Sequence, residues 1–120
     1  MYTHIQKSPM AICVQADIWK SYTGGVISAT DNCGGQSADA LNHCVQVVGI
    51  GQSKAAAGEG EGEGEATASS SPYWIVRNSW GADFGNSGYV YLATGANVCG
   101  IAMEATVAKG LTSAGTTSAV

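Results

Sequence analysis

Short apolar runs separated by glycines set the strongest limit on what this chain can fold into. Seventeen of its 120 residues are glycine, and the apolar runs between them are too short for helices of ordinary length. Runs of this length, rich in valine, isoleucine and tyrosine, are typical of strands. The pattern predicts about five strands, around residues 12–16, 44–50, 73–77, 88–93 and 101–107.

Little of the sequence is left for helices. Only Met1 to Lys7 and Asp17 to Ser21 leave room for them, and both segments are short. In the last strand, apolar residues at every second position predict one buried face that carries Ile101, Met103, Ala105 and Val107. We therefore expect an α+β fold that is mainly antiparallel β, with a partly closed, barrel-like sheet.

Residues 52–72 differ from the rest in composition. They contain the run Glu59-Gly-Glu-Gly-Glu-Gly-Glu65 and no large apolar side chain, so the segment cannot bury a core. It predicts a low-complexity loop insert, with a helical turn around Ala55–Ala57 as the lesser alternative. The featureless residues 112–120 predict a disordered tail.

The charge of the chain is concentrated in this insert. The sequence has 5 Lys and Arg against 9 Asp and Glu, a net charge of −4, and four of the acids lie between residues 59 and 65. The remaining acids balance the bases, which argues against a nucleic-acid binder and against a polybasic membrane binder. No apolar stretch approaches the roughly 18 residues of a membrane span. The residues from Met1 to Lys7 lack the apolar run of a signal peptide, so we expect any secretion signal to lie outside this sequence.

The spacing of the four cysteines does not identify a metal or redox motif. Cys13, Cys33, Cys44 and Cys99 fit no C-x-x-C pattern, which makes a zinc module a poor interpretation. From spacing alone, one disulfide with two free thiols and four reduced thiols both remain open.

Two polar segments interrupt the apolar runs and contain the candidate chemistry. His43 begins one predicted strand, and Asn78 and Trp80 follow the end of the next. An asparagine oxygen that accepts the N–H of one imidazole nitrogen fixes the tautomer and leaves the other nitrogen free to take a proton from a nucleophile. A nearby indole would exclude water from this hydrogen bond. By residue type alone, a core histidine and a turn-forming asparagine explain the pattern better.

The order of several longer blocks gives a specific resemblance. These blocks are Ser8-Pro-Met-Ala-Ile, Tyr22-Thr-Gly-Gly-Val-Ile, Leu41-Asn-His-Cys-Val-Gln-Val-Val-Gly-Ile-Gly, Tyr73-Trp-Ile-Val-Arg-Asn-Ser-Trp-Gly, Gly88-Tyr-Val and Cys99-Gly-Ile-Ala. In this order they resemble the second, β-rich half of the papain-like cysteine proteases, including the cathepsins. The resemblance covers about residues 5–107. It implies that residues 1–111 form the C-terminal lobe of that fold.

The resemblance assigns roles to the polar residues. It implies that His43 is the catalytic general base, that Asn78 orients it, and that Trp80 shields their hydrogen bond. The nucleophilic cysteine of this family lies about 130–150 residues before the histidine. Only 42 residues precede His43, so we expect the nucleophile to be absent from this chain and to lie on an N-terminal lobe.

The resemblance also implies a disulfide and a substrate pocket. Cys33 and Cys99 look like the disulfide of this lobe, which leaves Cys13 and Cys44 as thiols. The residues implied around the pocket for the second side chain on the acyl side of the scissile bond are Cys13, Leu41, Cys44 and Glu104, and Asn42 would offer backbone atoms to the substrate. For Glu104, a solvent-facing strand residue is an equally good interpretation.

Phe84 stands where the family usually has a second tryptophan on the leaving-group side of the cleft. The implied partners are peptide or protein substrates and the N-terminal lobe, with no cofactor, metal, nucleic acid or membrane. The implied location is lysosomal, vacuolar or secreted. In the isolated chain we expect the wall that contains His43 and Trp80 to be an exposed apolar surface. The alternative is a non-catalytic or truncated homologue that binds peptides or inhibits.

Overall fold

The computed structural model of the protein describes residues 1–34, 37–53 and 71–108, and its main element is a six-stranded sheet. One short helix, α1 (Tyr2–Ile5), precedes it, and several 3-10 turns connect the strands. The strands are β1 (Met10–Val14), β2 (Val26–Ile27), β3 (His43–Ser53), β4 (Ser71–Arg77), β5 (Tyr89–Ala93) and β6 (Glu104–Thr106). Their order is β2-β5-β4-β3-β1-β6, and every neighbouring pair is antiparallel except β2 and β5. The predicted α+β, mainly antiparallel fold is confirmed. The expected partial closure into a barrel is not observed among the described residues, because the sheet is open with β2 and β6 at its edges.

Both segments that the sequence left for helices contain helical turns. The helix α1 lies within Met1 to Lys7, and a 3-10 turn spans Asp17–Ser21, as predicted. The short strand β2 is an addition to the five predicted strands. Among the described residues, no helix is long and apolar enough to cross a membrane.

The prediction for the last strand is wrong in its extent. Val98–Gly100 is a 3-10 turn, and Cys99 and Gly100 have φ values of 54° and 76°, so the chain turns here and the strand begins only at Glu104. Ile101 is 2% exposed and Met103 is 44% exposed, so the two side chains do not share one buried face. A local turn replaces the alternation because the chain must bring Cys99 to its disulfide partner Cys33.

One face of the sheet forms the hydrophobic core. Alternate residues of the four central strands are buried there, namely Met10, Ile12, Val14, Val47, Trp74, Val76, Val90 and Leu92. The turn at Asp17–Ser21 covers this face with Trp19, which is fully buried. Burial of these side chains on one face is the period-2 pattern that the sequence shows.

The hairpin of β3 and β4 defines the ends of the predicted insert. Gln52 pairs with Pro72 and Ser53 pairs with Ser71, so the first and last two residues of the segment 52–72 belong to the strands. The rest of the insert, including the possible helical turn, and the predicted tail 112–120 lie outside the described residues.

A tyrosine hydroxyl fixes the loop before β5. The Tyr22 hydroxyl donates to the Gly25 carbonyl over 2.6 Å and accepts from Asn86 Nδ2 over 2.7 Å. Partial burial of the ring raises the pKa of Tyr22. The ring packs directly against Gly85, where an added Cβ would lie 2.7 Å from Tyr22 Cε1 and 2.8 Å from the Tyr89 carbonyl oxygen.

Gly85→Ala should therefore destabilise the chain by about 2–4 kcal/mol, since a positive φ and two contacts that cannot yield act together. The matched control is Gly95→Ala, at φ +93° with nothing within 4 Å of its Cβ, and it should cost only the backbone strain of about 1–2 kcal/mol. Guanidinium unfolding followed by far-UV circular dichroism measures both free energies. Equal losses in the two variants would contradict the packing that we describe around Tyr22.

Candidate active site

The two main site residues meet because they lie at the same end of the β3–β4 hairpin. His43 is the first residue of β3, and Asn78 directly follows the last residue of β4. In an antiparallel pair the start of one strand lies beside the end of the other. His43 pairs with buried Val14, and Asn78 alternates with buried Val76, so both side chains project from the core-facing side of the sheet.

A hydrogen bond joins the two side chains and determines the tautomer of the imidazole. His43 Nε2 lies 2.8 Å from Asn78 Oδ1, and the backbone N–H of Ser79 donates to the same oxygen over 2.8 Å. Because the Ser79 donor identifies this atom as the amide oxygen, Nε2 of His43 must donate the proton to it. Nδ1 of the neutral ring then has its lone pair available to accept a proton.

The other end of the Asn78 amide is not satisfied within this part of the protein. Asn78 Nδ2 is buried and has no hydrogen-bond partner among the residues that the structure describes. An unpaired buried donor costs about 1–3 kcal/mol. Asn78 is therefore held in a position that its own hydrogen bonding does not fully explain, which is a common feature of functional sites.

Two tryptophans enclose the imidazole of His43. The ring of Trp80 stacks on it, with centroids 5.0 Å apart and an interplanar angle of 27°. Trp19 meets it edge-on, at 6.1 Å and 88°. Trp80 is 41% exposed and Trp19 is fully buried, so one indole covers the ring from the solvent side and the other supports it from the core.

The sequence interpretation missed Trp19. Trp19 lies in the short segment Asp17-Ile-Trp-Lys-Ser21, and no periodicity links it to His43. The signal that could have identified it is its residue type. It is one of only three tryptophans in the sequence, and the short segment around it cannot bury so large a side chain by itself. Its indole Nε1 is buried and has no partner within residues 1–34, 37–53 and 71–108.

A cleft of about 230 Å³ opens beside the imidazole. It is lined by Ala16, Asp17, Lys20, Asn42, His43 and Trp80. Asn42 stabilises the wall of the cleft, because its Oδ1 accepts from the Ala16 N–H over 2.9 Å. The backbone N–H of Asn42 donates to the Val14 carbonyl over 3.0 Å, so only its carbonyl is left to offer to a substrate chain.

The prediction that Cys13 and Cys44 are thiols is wrong. They form a disulfide, while Cys33 and Cys99 form the disulfide that the resemblance implied. Cys13 and Cys44 lie directly opposite each other on β1 and β3, with Cα atoms 4.0 Å apart, in the closely spaced type of antiparallel pair. The sequence predicted that Cys13 and Cys44 each lie on a strand. It did not predict the register between these two strands, which decides whether the two sulfurs meet.

The remaining predicted pocket residues lie in three places. Glu104 pairs with Cys13 and is exposed, next to the disulfide on the face opposite to the core. Leu41 is half-buried next to Gly100. Phe84 packs edge-on against Trp80 with centroids 4.9 Å apart, so an aromatic wall adjoins the imidazole on that side.

Comparison with known proteins identifies the family. A sequence profile described as papain family cysteine protease matches residues 1–109. The chain belongs to the papain family of cysteine proteases. Among curated papain-family and related proteins, human cathepsin O is 37% identical over 94 residues, which are 78% of this chain and 23% of cathepsin O. Fruit bromelain from Ananas comosus is 36% identical over 104 residues, 82% of this chain and 24% of bromelain.

Solved papain-like structures agree with this assignment. Digestive procathepsin L 3 from the larval midgut of Tenebrio molitor superposes with a TM-score of 0.58 at 35% identity, over 83% of this chain and 27% of that chain. Bromelain from Ananas comosus, solved in complex with the E64 inhibitor, gives 0.57 at 30% identity over 83% of this chain and 40% of that chain. The chain thus spans about a quarter of the length of the curated relatives that it matches.

Proposed function

We propose that this chain is the C-terminal half of a papain-like cysteine endopeptidase and supplies the general base to a nucleophile on an N-terminal lobe. The observation that carries the proposal is the 2.8 Å hydrogen bond from His43 Nε2 to Asn78 Oδ1, whose acceptor is fixed by the Ser79 N–H. This arrangement leaves Nδ1 free on the side that a partner group can approach.

The reaction assigns one role to each residue. Nδ1 of His43 takes the proton of the nucleophilic thiol, and the thiolate attacks the carbonyl carbon of the peptide bond. The resulting imidazolium donates its Nδ1 proton to the leaving amine as the C–N bond breaks, and water then hydrolyses the thioester. Asn78 keeps the ring in its orientation through both proton transfers. Trp80 lies over this hydrogen bond and reduces competition from water.

The state of the cysteines supports a nucleophile outside this chain. All four cysteines of the sequence are in disulfides in the described part of the protein, so none can form the attacking thiolate. The disulfides also support an oxidising location, lysosomal, vacuolar or secreted. For the substrate we propose a peptide whose side chains contact Leu41, Phe84 and Glu104, with the Cys13–Cys44 disulfide as part of the surface and the Asn42 carbonyl as a backbone acceptor.

The test is a fusion of this chain to the N-terminal lobe of fruit bromelain. The 120-residue chain alone should not hydrolyse a fluorogenic peptide, whereas the fusion should show turnover that E-64 inhibits and a nucleophilic cysteine that E-64 labels. The control is the same N-terminal lobe joined by the same linker to the second half of bromelain.

The outcomes separate the two candidate functions. E-64-sensitive turnover by the chain alone would overturn the absence of a nucleophile. A fusion that folds, by near-UV circular dichroism, but is neither active nor labelled, next to an active control, would favour the non-catalytic peptide-binding or inhibitory homologue.

A further inference from the structure

The two disulfides of the chain differ in their access to solvent. Cys33 and Cys99 are 6% and 0% exposed, so that bond is far less accessible to a reagent in solution. Cys44 is exposed and Cys13 is half-buried, on the sheet face opposite to the core. Exposed disulfides are the ones that exchange readily with thiols, whereas buried structural ones resist reduction.

A groove leads to the exposed sulfur. An open cavity of about 400 Å³ is lined by Ala11, Cys44, Val45, Gln46, Arg77, Asn78 and Ser79. Gln46 pairs with Arg77, and Gln46 lies two residues after Cys44 on the same strand, so Arg77 lies on the same face at a diagonal Cα distance of about 7–8 Å from Cys44. This volume can hold a small thiol beside Cys44.

The charges along this face are arranged around the disulfide. The strand order places Glu104, Cys13, Cys44 and then Arg77 across the outer face of β6, β1, β3 and β4. Glu104 and Arg77 are both exposed. An anionic reagent is therefore attracted on the side of Cys44 and repelled on the side of Cys13.

We propose that Cys13–Cys44 is a thiol–disulfide exchange site for an anionic low-molecular-weight thiol, and that Cys44 Sγ is the sulfur attacked. The thiolate of the reagent forms a bond to Cys44 Sγ as the bond between the two protein sulfurs breaks. Cys13 leaves as a thiolate, and because Glu104 disfavours a negative charge there, it takes a proton from water. A second reagent thiolate attacks the reagent sulfur of the mixed disulfide. This step forms the disulfide of the oxidised reagent dimer and releases Cys44 as a thiolate, which takes a proton from water, so the protein disulfide gains two electrons and two protons in all.

The mixed disulfide would occupy the groove that Asn78 and Ser79 line. These two residues form the amide and the N–H that hold the His43 hydrogen bond. Exchange at Cys44 thus places a bulky adduct at the same end of the hairpin as the candidate active site, on the opposite face of the sheet, and removes the covalent link between β1 and β3. The exchange chemistry itself does not depend on the proposed peptidase function.

The experiment exposes the 120-residue chain to reduced glutathione, an anionic thiol, and separately to cysteamine, a cationic one. Mass spectrometry of chymotryptic peptides follows the adducts and the two disulfides with time. We expect a glutathione adduct on Cys44, loss of Cys13–Cys44 before any loss of Cys33–Cys99, and a faster reaction with glutathione than with cysteamine at equal thiolate concentration.

Arg77→Gln should slow the glutathione reaction about two- to fivefold and leave the cysteamine reaction no slower. The control Lys7→Gln removes an exposed positive charge that does not line the groove, and it should leave both rates unchanged. If Arg77→Gln does not fold, the salt dependence of the unmodified chain replaces it, since added salt should slow glutathione and not cysteamine. Simultaneous loss of both disulfides, adducts mainly on Cys13, or equal salt responses for the two thiols would each overturn the proposal.

Discussion

His43→Ala in the fusion with an N-terminal lobe is expected to lower kcat/KM for peptide hydrolysis by about 10⁴-fold or more, as loss of a catalytic base does in other hydrolases. Without the imidazole, no group in the site takes the thiol proton or protonates the leaving amine. The measurement is turnover of a fluorogenic peptide, together with the rate of labelling by E-64. Labelling should fall as well, because it requires the thiolate that His43 helps to form.

Asn78→Ala should have a smaller effect on the same reaction. It removes a hydrogen bond to a ring that becomes charged, and such bonds are worth about 1.5–3 kcal/mol, or roughly 10- to 150-fold in rate. The loss should appear in kcat more than in KM, because the ring orientation matters most when the proton moves.

The matched control for this change is Asn86→Ala, which deletes the same amide group where its Nδ2 donates to the Tyr22 hydroxyl. Asn86→Ala should lower the unfolding temperature of the fusion and leave kcat within about a factor of two. If Asn78→Ala retains full activity, or if both variants lose activity in proportion to stability, the orienting role of Asn78 is wrong.

The nearness of His43 and Asn78 could be predicted from the sequence because it depends on topology alone. Two apolar runs joined by a polar segment predict a hairpin, and the start of the first strand then lies beside the end of the second. The long insert between the runs does not prevent this pairing, since the entropic cost of closing a loop grows only slowly with its length.

The features that the sequence did not predict depend on register and tertiary packing. The Cys13–Cys44 disulfide requires β1 to pair with β3 in one register, and a shift by one residue would place the two sulfurs on opposite faces. The parallel pairing of β2 with β5 joins segments that are distant in sequence, with only two residues in β2. The turn at Cys99 replaced the alternation expected after Ile101, because tertiary contacts of one disulfide override a local pattern.

Trp19 and Trp80 both contact His43 and one another, with their ring centroids 6.5 Å apart. Truncation should nevertheless affect different properties, namely stability for Trp19 and activity for Trp80. Trp19 is 0% exposed and Trp80 is 41% exposed. Trp19→Ala should lower the free energy of unfolding of the chain by about 3–5 kcal/mol, because it leaves a large cavity between the sheet and the imidazole. Trp80→Ala should cost the chain little stability and should instead lower the activity of the fusion, since it uncovers the hydrogen bond between His43 and Asn78.

A third variant separates the packing of Trp19 from its polar group. The indole N–H has no partner in the part of the chain that the structure describes, so Trp19→Phe removes an unsatisfied buried donor and retains most of the ring. Removing the N–H also removes the desolvation cost of an unpaired buried donor, and this gain offsets much of the cost of the cavity that the smaller phenylalanine ring leaves. We therefore expect the free energy of unfolding to fall by less than about 1.5 kcal/mol. Guanidinium unfolding followed by far-UV circular dichroism gives the three free energies without relying on tryptophan fluorescence. A Trp19→Phe loss as large as that of Trp19→Ala would contradict this account, in which the N–H is unsatisfied and the ring supplies the stability.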